Sequence, residues 1–205
     1  PADEWREIIA AELAGVVAEE GWSAPLELDT VYIGGGTPSL LGADAMGELA
    51  AALAPAARWD AATVEWTVEA NPESFDETVA RAWCAAGVNR LSLGVQTFHA
   101  PALKWMGRLH GPEGPARAVA AARSAGIGNI SIDLIFGLPA QLGRSWEADL
   151  DRALALEPEH ISLYGLTAEP GAALGRWVRE GRVQLPGEDD YAREYLLAAE
   201  RLSSA

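Results

Sequence analysis

The chain has 205 residues, 49% of them hydrophobic, enough to bury a core in one domain of ordinary size. Lys and Arg number 15 against 30 Asp and Glu, a net charge of −15, which argues against nucleic acid or an anionic membrane surface as the main partner, since both demand basic patches. The single cysteine, Cys84, excludes a disulfide framework and any multi-cysteine metal site built from these residues, and fits a cytoplasmic setting; no apolar run is long enough to span a membrane.

Apolar residues at Trp5, Ile8, Ile9, Leu13, Val16 and Val17 predict an amphipathic helix over residues 3–20, stopped by Gly21. A first strand over Thr30–Ile33 runs into Gly34-Gly35-Gly36-Thr37-Pro38. A glycine run lets the backbone take positive φ and brings its N–H and C=O groups within reach of a ligand, while Pro38 ends the strand. An alanine-rich helix over 43–57 points Met46, Leu49 and Leu53 inward, and a second strand over Thr63–Val68 leads to the turn Glu69-Ala70-Asn71-Pro72. Ser74-Phe75-Asp76-Glu77 has the form of a capping box for a helix through Val79 and Trp83 that ends at Gly87.

The third strand, Arg90–Val95, continues into Gln96-Thr97-Phe98. A short helix near 101–106 and a longer one over 112–125 follow, then a fourth strand, Asn129–Ile135, that carries Asp133 and exits at Gly137-Leu138-Pro139. A helix on Trp146, Leu150 and Leu154 precedes the fifth strand, Ile161–Tyr164, and a last helix takes Tyr191, Tyr195, Leu196, Ala199 and Leu202. Strand and helix alternate without a linker, which predicts an α/β fold of right-handed βαβ units on a parallel sheet, in a single domain over residues 1–205. Gly34–Thr37, Glu69, Gln96, Asp133 and Thr167 all fall late in a strand or just beyond one, where a parallel sheet or barrel places its ligand crevice.

The stretches Gly34–Pro38, Glu69–Pro72, Gly87–Phe98, Gly107-Arg108-Leu109-His110 and Ile132–Pro139, taken in order, resemble the radical S-adenosylmethionine (SAM) proteins related to oxygen-independent coproporphyrinogen III oxidase. The resemblance runs from about Thr30 to Pro170 and implies a partial (β/α)6 barrel that holds SAM and a [4Fe-4S] cluster at its carboxyl end. The family's cluster is held by three cysteines in a CxxxCxxC loop after the first strand, a loop this sequence lacks, so residues 30–167 correspond to strands two to six of the half-barrel. The chain therefore reads as a piece of a longer parent that supplies the cluster, inactive by itself, with no catalytic or metal-ligating residue assigned here.

Within the resemblance, Gly35, Gly36 and Thr37 form the cradle for the methionine end of SAM, and Glu69 and Gln96 contact the cofactor through hydrogen bonds. Arg108 matches the arginine that meets the SAM carboxylate, a good use of a guanidinium fork. Asp133, an acid inside an apolar strand, fits a carboxylate that accepts from the ribose hydroxyls, and Thr167 supplies backbone beside adenine. The structural alternatives are a helix N-terminal carboxylate for Glu69 and a surface ion pair for Arg108. Cys84 reads as a small core filler, His110 as a neighbour of the site, His99 and His160 as loop and strand-edge residues, and the eight tryptophans as core or interface residues.

The family has two branches, the oxidase proper and a HemW-type heme chaperone, with heme or porphyrin as a further ligand of the parent. The oxidase tends to read Glu-x-Asp-Pro-Arg where this chain reads Glu69-Ala70-Asn71-Pro72-Glu73, which favours the chaperone branch. Two other classes compete: a phosphate-binding TIM-type enzyme that uses the glycine loop as an anion nest, and a binding module without chemistry. The only lysine, Lys104, is not near a strand end, which counts against the TIM-type enzyme.

Overall fold

The computed structural model of the chain describes residues 4–204. The strands differ in cover: Arg90–Gln96 is buried at every position after Arg90, as a strand covered on both faces is, whereas Thr30–Ile33 has one fully buried residue. In order they are β1 (Leu26–Glu27), β2 (Thr30–Ile33), β3 (Ala57–Arg58), β4 (Glu65–Ala70), β5 (Arg90–Gln96), β6 (Asn129–Phe136) and β7 (His160–Gly165). The five longer ones follow the order β2-β4-β5-β6-β7, and β1 and β3 form a separate short parallel pair. The helices are α1 (Glu4–Glu19), α2 (Ala45–Leu53), α3 (Glu77–Ala86), α4 (Ala100–Trp105), α5 (Gly114–Ala125), α6 (Trp146–Leu154), α7 (Ala173–Arg179) and α8 (Glu188–Ser203). The expected α/β class with a parallel sheet is the one observed.

Contacts group the described residues into two compact units. The first holds the residues through Leu93 together with Arg117–Ile130. In it β2 pairs in parallel with β4, Thr30 opposite Glu65 and Ile33 opposite Val68, and β4 pairs with β5, Glu69 opposite Ser92. Its core is built from Met46, Leu49 and Leu53 of α2, Ala80 and Trp83 of α3, and Trp66, Val68, Leu91 and Leu93 of the strands. The Trp66 ring meets Trp59 edge to face at 5.2 Å, and Trp83 lies 5.3 Å from Phe75.

The second unit holds Gly94–Ala116 and the residues from Ser131 onward. There β6 pairs in parallel with β7, Asp133 opposite Ser162. Ile132, Leu134 and Phe136 occupy the fully buried face of β6, and Asp133 and Ile135 alternate onto the other, where both are only half-buried. Helix α6 buries Trp146, Asp149, Leu150 and Ala153, the spacing of one helix face, and packs on α8.

Four expectations need correction. The apolar stripe of α1 is not an inward face: Val17 alone is fully buried, whereas Ile8 is 59% exposed, because α1 lies along α2 and a helix-on-helix contact covers only a narrow stripe. Its expected start at residue 3 lies outside the described residues. The cap of α3 is Asp76, whose Oδ1 accepts from the Val79 amide at 2.9 Å, and not Ser74, whose hydroxyl is engaged by Ser39 at 2.6 Å. Helix α8 turns Ala198 and Glu194 inward and leaves Tyr195 and Leu196 largely exposed, because Glu194 is drawn in by Arg144. Cys84 is half-buried rather than a core filler, its sulfur lying beside the turn at Gly126, where a Cβ would stand 3.4 Å from it.

Candidate functional site

In the first unit the site grows from the end of β2. The pairing that sets Ile33 opposite Val68 leaves Gly34 level with Glu69, the next residue of β4. The Tyr32 hydroxyl donates to Glu69 Oε1 at 2.6 Å, and the Gly35 amide donates to Glu69 Oε2 at 3.1 Å. A Cβ on Gly34 would lie 2.8 Å from Glu69 Oε1 and 2.7 Å from the Tyr32 ring, so only glycine admits the carboxylate this close to the loop. Gly35 and Gly36 take φ of +84° and +62°, and a Cβ on either would meet nothing within 4 Å. Their backbone therefore faces open space.

Asn71 and two serines fix the far side of the loop. Asn71 Nδ2 donates to the Thr37 hydroxyl at 3.2 Å and its amide donates to Ser39 Oγ at 3.3 Å, while Ser39 and Ser74 share a 2.6 Å hydrogen bond. Glu69 is thus held by a phenol and a loop amide, and not by a helix N-terminus. The result is a half-buried carboxylate beside an exposed glycine backbone, a combination that receives an ammonium and its neighbouring polar groups.

In the second unit the end of β5 carries the unusual geometry. Gln96 is 9% exposed with φ of +66°, and the Thr97 amide bonds back to the Val95 carbonyl at 2.8 Å. That is the three-residue γ-turn in its rare positive-φ form. His110, buried, sets its Nε2 at 3.3 Å from the same Val95 carbonyl; a carbonyl only accepts, so Nε2 carries the proton. This bond ties the Gly107–His110 segment, and with it the half-buried Arg108, to the strand end that carries Gln96. Asp133 stands on the less buried face of β6, and Thr167 is exposed two residues beyond β7. His99 Nε2 meets the Leu142 carbonyl at 2.9 Å and His160 Nδ1 meets Ser131 Oγ at 2.9 Å, structural bonds in both cases.

A buried polar cluster sits behind the γ-turn. Asp149 of α6 is 2% exposed; its Oδ2 accepts from the Thr97 hydroxyl at 2.6 Å and its Oδ1 from the Phe98 amide at 2.8 Å. Burial pushes its carboxyl up from the ordinary aspartate value, against the pull of the Thr97 hydroxyl, the Phe98 amide and the Arg144 and His99 charges. Arg144, its side chain 3% exposed, gives both Glu194 oxygens a hydrogen bond, at 2.9 and 2.7 Å, and Glu194 Oε2 also accepts from the Gly137 amide at 2.7 Å.

Sequence reasoning missed Tyr32, Asn71 and Asp149. Each had a readable signal: Tyr32 shares a strand face with Gly34, Asn71 lies inside the Glu69–Pro72 motif, and Asp149 is a lone acid on the apolar stripe of α6.

Residues 4–153 match the Radical SAM superfamily, and the chain belongs to it. Among individual relatives, the chain is 33% identical over 204 residues to the heme chaperone HemW of Bacillus subtilis (strain 168), covering 100% of this chain and 53% of that protein. It is 39% identical over 178 residues to the heme chaperone HemW of Lactococcus lactis subsp. lactis (strain IL1403), covering 86% and 47% respectively. In fold it resembles the structure described as coproporphyrinogen III oxidase (HemN) from Escherichia coli, a radical SAM enzyme, with a TM-score of 0.81 at 24% identity over 99% of this chain and 46% of that one. The chain spans about half the length of the curated relatives it matches.

The superfamily implies SAM and a [4Fe-4S] cluster. The first unit fits SAM, because the glycine cradle is open and a carboxylate waits beside it. The cluster does not fit: the chain has one cysteine, and among the described residues no three His, Cys, Asp or Glu side chains converge to hold a metal.

Proposed function

We propose that the chain is the SAM-binding core of a heme chaperone within the coproporphyrinogen III oxidase-like radical SAM proteins. The observation that carries the reading is the Glu69 carboxylate, pinned by Tyr32 and Gly35 beside an open, positive-φ glycine loop. The names of the relatives, heme chaperones at 33% and 39% identity, support the chaperone over the oxidase. In this reading Glu69 accepts from the SAM ammonium while Gly35, Gly36 and Thr37 line the methionine end, the last with its hydroxyl held by Asn71. Gln96 adds a hydrogen bond, Arg108 meets the SAM carboxylate, Asp133 accepts from the ribose diol, and backbone at Thr167 flanks adenine. SAM supplies the radical chemistry when the longer parent brings the cluster; this chain's part is to bind and orient. Heme is the parent's cargo, and a cytoplasmic setting belongs to the same proposal.

The HemN likeness supports a second reading, a true coproporphyrinogen III dehydrogenase that carries out oxidative decarboxylation. Heme titration of the full-length protein beside an assay for porphyrinogen decarboxylation separates the two: a stoichiometric Soret shift without decarboxylation is expected, and turnover would favour the dehydrogenase. For the site, Arg108→Ala and Asp133→Ala in the full-length protein each remove a charge-assisted hydrogen bond of about 1.5–3 kcal/mol, so SAM affinity falls roughly tenfold to a hundredfold with the fold intact. Unchanged SAM dissociation constants in both variants would return the two residues to structural roles.

A further inference from the structure

Gln96 closes β5 in a backbone conformation that residues with a side chain seldom adopt, with φ of +66° and the γ-turn bond from Thr97 to Val95. Such an outlier persists only where its surroundings over-determine it. The surroundings here can be named. Both oxygens of Asp149 are spent on the two residues that follow Gln96: Oδ2 on the Thr97 hydroxyl at 2.6 Å, Oδ1 on the Phe98 amide at 2.8 Å. The same Thr97 oxygen accepts from the His99 amide at 3.0 Å, so one hydroxyl links the carboxylate to the next turn of chain. Arg152, one helical turn beyond Asp149, lays its guanidinium 4.8 Å from the centre of the Phe98 ring and donates to the Pro112 carbonyl at 3.0 Å.

We infer that Asp149 is a positioning residue for Gln96: acting through Thr97 and the Phe98 amide, it locks the γ-turn that sets the direction of the Gln96 side chain. The inference rests on the reading that Gln96 contacts SAM. Asp149 is not placed to cap its own helix, because α6 already has Ser145 as its cap, with the Ala148 amide bonded to Ser145 Oγ at 3.2 Å. An acid 2% exposed on an apolar helix stripe is costly unless its hydrogen bonds compensate, and here those bonds go to the turn. The upward pressure that burial puts on its carboxyl is the signature of that cost. A strand reverses side-chain direction at every residue, so a turn inserted at its last position decides which way that residue points. Release of Thr97 lets Gln96 relax to negative φ and swings its amide away.

The test is a double-mutant cycle on SAM affinity in the full-length protein, with equilibrium binding as the readout and thermal melting as the folding control. Thr97→Val keeps the shape of a fully buried side chain and removes the hydroxyl; Thr97→Ser keeps the hydroxyl. Thr97→Val is expected to weaken SAM binding about tenfold, the size of one lost hydrogen bond, and Thr97→Ser to bind as the parent does. In a Gln96→Ala background Thr97→Val is expected to add nothing, because the side chain it orients is gone. An undiminished Thr97→Val effect in that background, or wild-type affinity for Thr97→Val alone when Gln96→Ala binds weakly, overturns the inference. Wild-type affinity for Gln96→Ala itself defeats the reading of Gln96 as a cofactor contact, and the inference falls with it. If Thr97→Val melts early, Asp149→Asn, which keeps the size and one acceptor, enters the same cycle with the same expected coupling.

Discussion

In the proposed SAM site, Glu69 is a residue prepared before its ligand arrives. Each of its carboxylate oxygens already accepts a hydrogen bond, one from a phenol on the neighbouring strand and one from the loop, so the side chain spends no rotamer freedom when an ammonium docks. The arrangement works only because Gly34 leaves room. Gly34→Ala places a Cβ 2.8 Å from Glu69 Oε1 and 2.7 Å from the Tyr32 ring, so one of the two must move. The expected outcome is a loss of about 1–3 kcal/mol in thermal or chemical unfolding, typical of overpacking, together with weaker SAM binding in the full-length protein. A variant with wild-type stability and affinity would show that the loop yields at no cost. The glycine run and Glu69 were legible in the sequence because backbone conformation and a lone acid at a strand end leave marks on residue type. Tyr32 left a fainter mark, its place on the strand face of Gly34, and its bond to Glu69 shows only once the neighbouring strand is in place.

At the scale of elements, the sequence located the five long strands and most of the helices, because apolar periodicity and glycine stops are strong signals. It misassigned the cap of α3 for a physical reason. Ser74 and Asp76 both precede the helix and both can cap, but Ser74 is taken by Ser39 and by the Asn71 turn, so Asp76 accepts from Val79. Asp76→Ala is therefore expected to cost about 1 kcal/mol, the usual value of an N-cap, in chemical denaturation. Ser74→Ala is expected to leave α3 intact and instead to loosen the Ser39–Asn71 side of the glycine loop, read as faster amide exchange at Asn71. Equal helix destabilisation by both would restore the capping-box assignment. Helix α7 was invisible because its seven residues carry too short a pattern, and what seats it is a glycine: a Cβ on Gly175 would lie 2.0 Å from the Glu169 carbonyl oxygen. The outward turn of Tyr195 and Leu196 on α8 was hidden for a related reason, since the pull of Arg144 on Glu194 is a contact fifty residues distant in sequence.

At the scale of the whole chain, binding and chemistry divide along the donor atoms. The groups assigned to SAM in the proposed reading carry oxygen and nitrogen atoms at or near strand ends; a [4Fe-4S] cluster needs thiolates, and the chain has one cysteine. That one, Cys84, is half-buried on α3 rather than on a strand-end loop. The family's order of motifs was legible in the sequence because each motif answers a local requirement, whereas the cluster loop has no counterpart to read. The 205-residue chain is accordingly expected to fail to take up a stoichiometric cluster on anaerobic reconstitution with iron and sulfide, and to form no 5′-deoxyadenosine from SAM in the presence of a strong reductant. Iron and sulfide analysis of the desalted protein, with electron paramagnetic resonance after reduction, checks the first part, and chromatography of the SAM reaction checks the second. Carboxylates are abundant in a chain of net charge −15 and bind ferrous iron weakly at the surface, so iron without matching sulfide is the expected residue of the experiment. A cluster with a reducible signal and matched sulfide, at roughly one per three or four chains, would mean that Cys84 thiolates from several copies meet on one cluster and that the division between binding and chemistry is wrong.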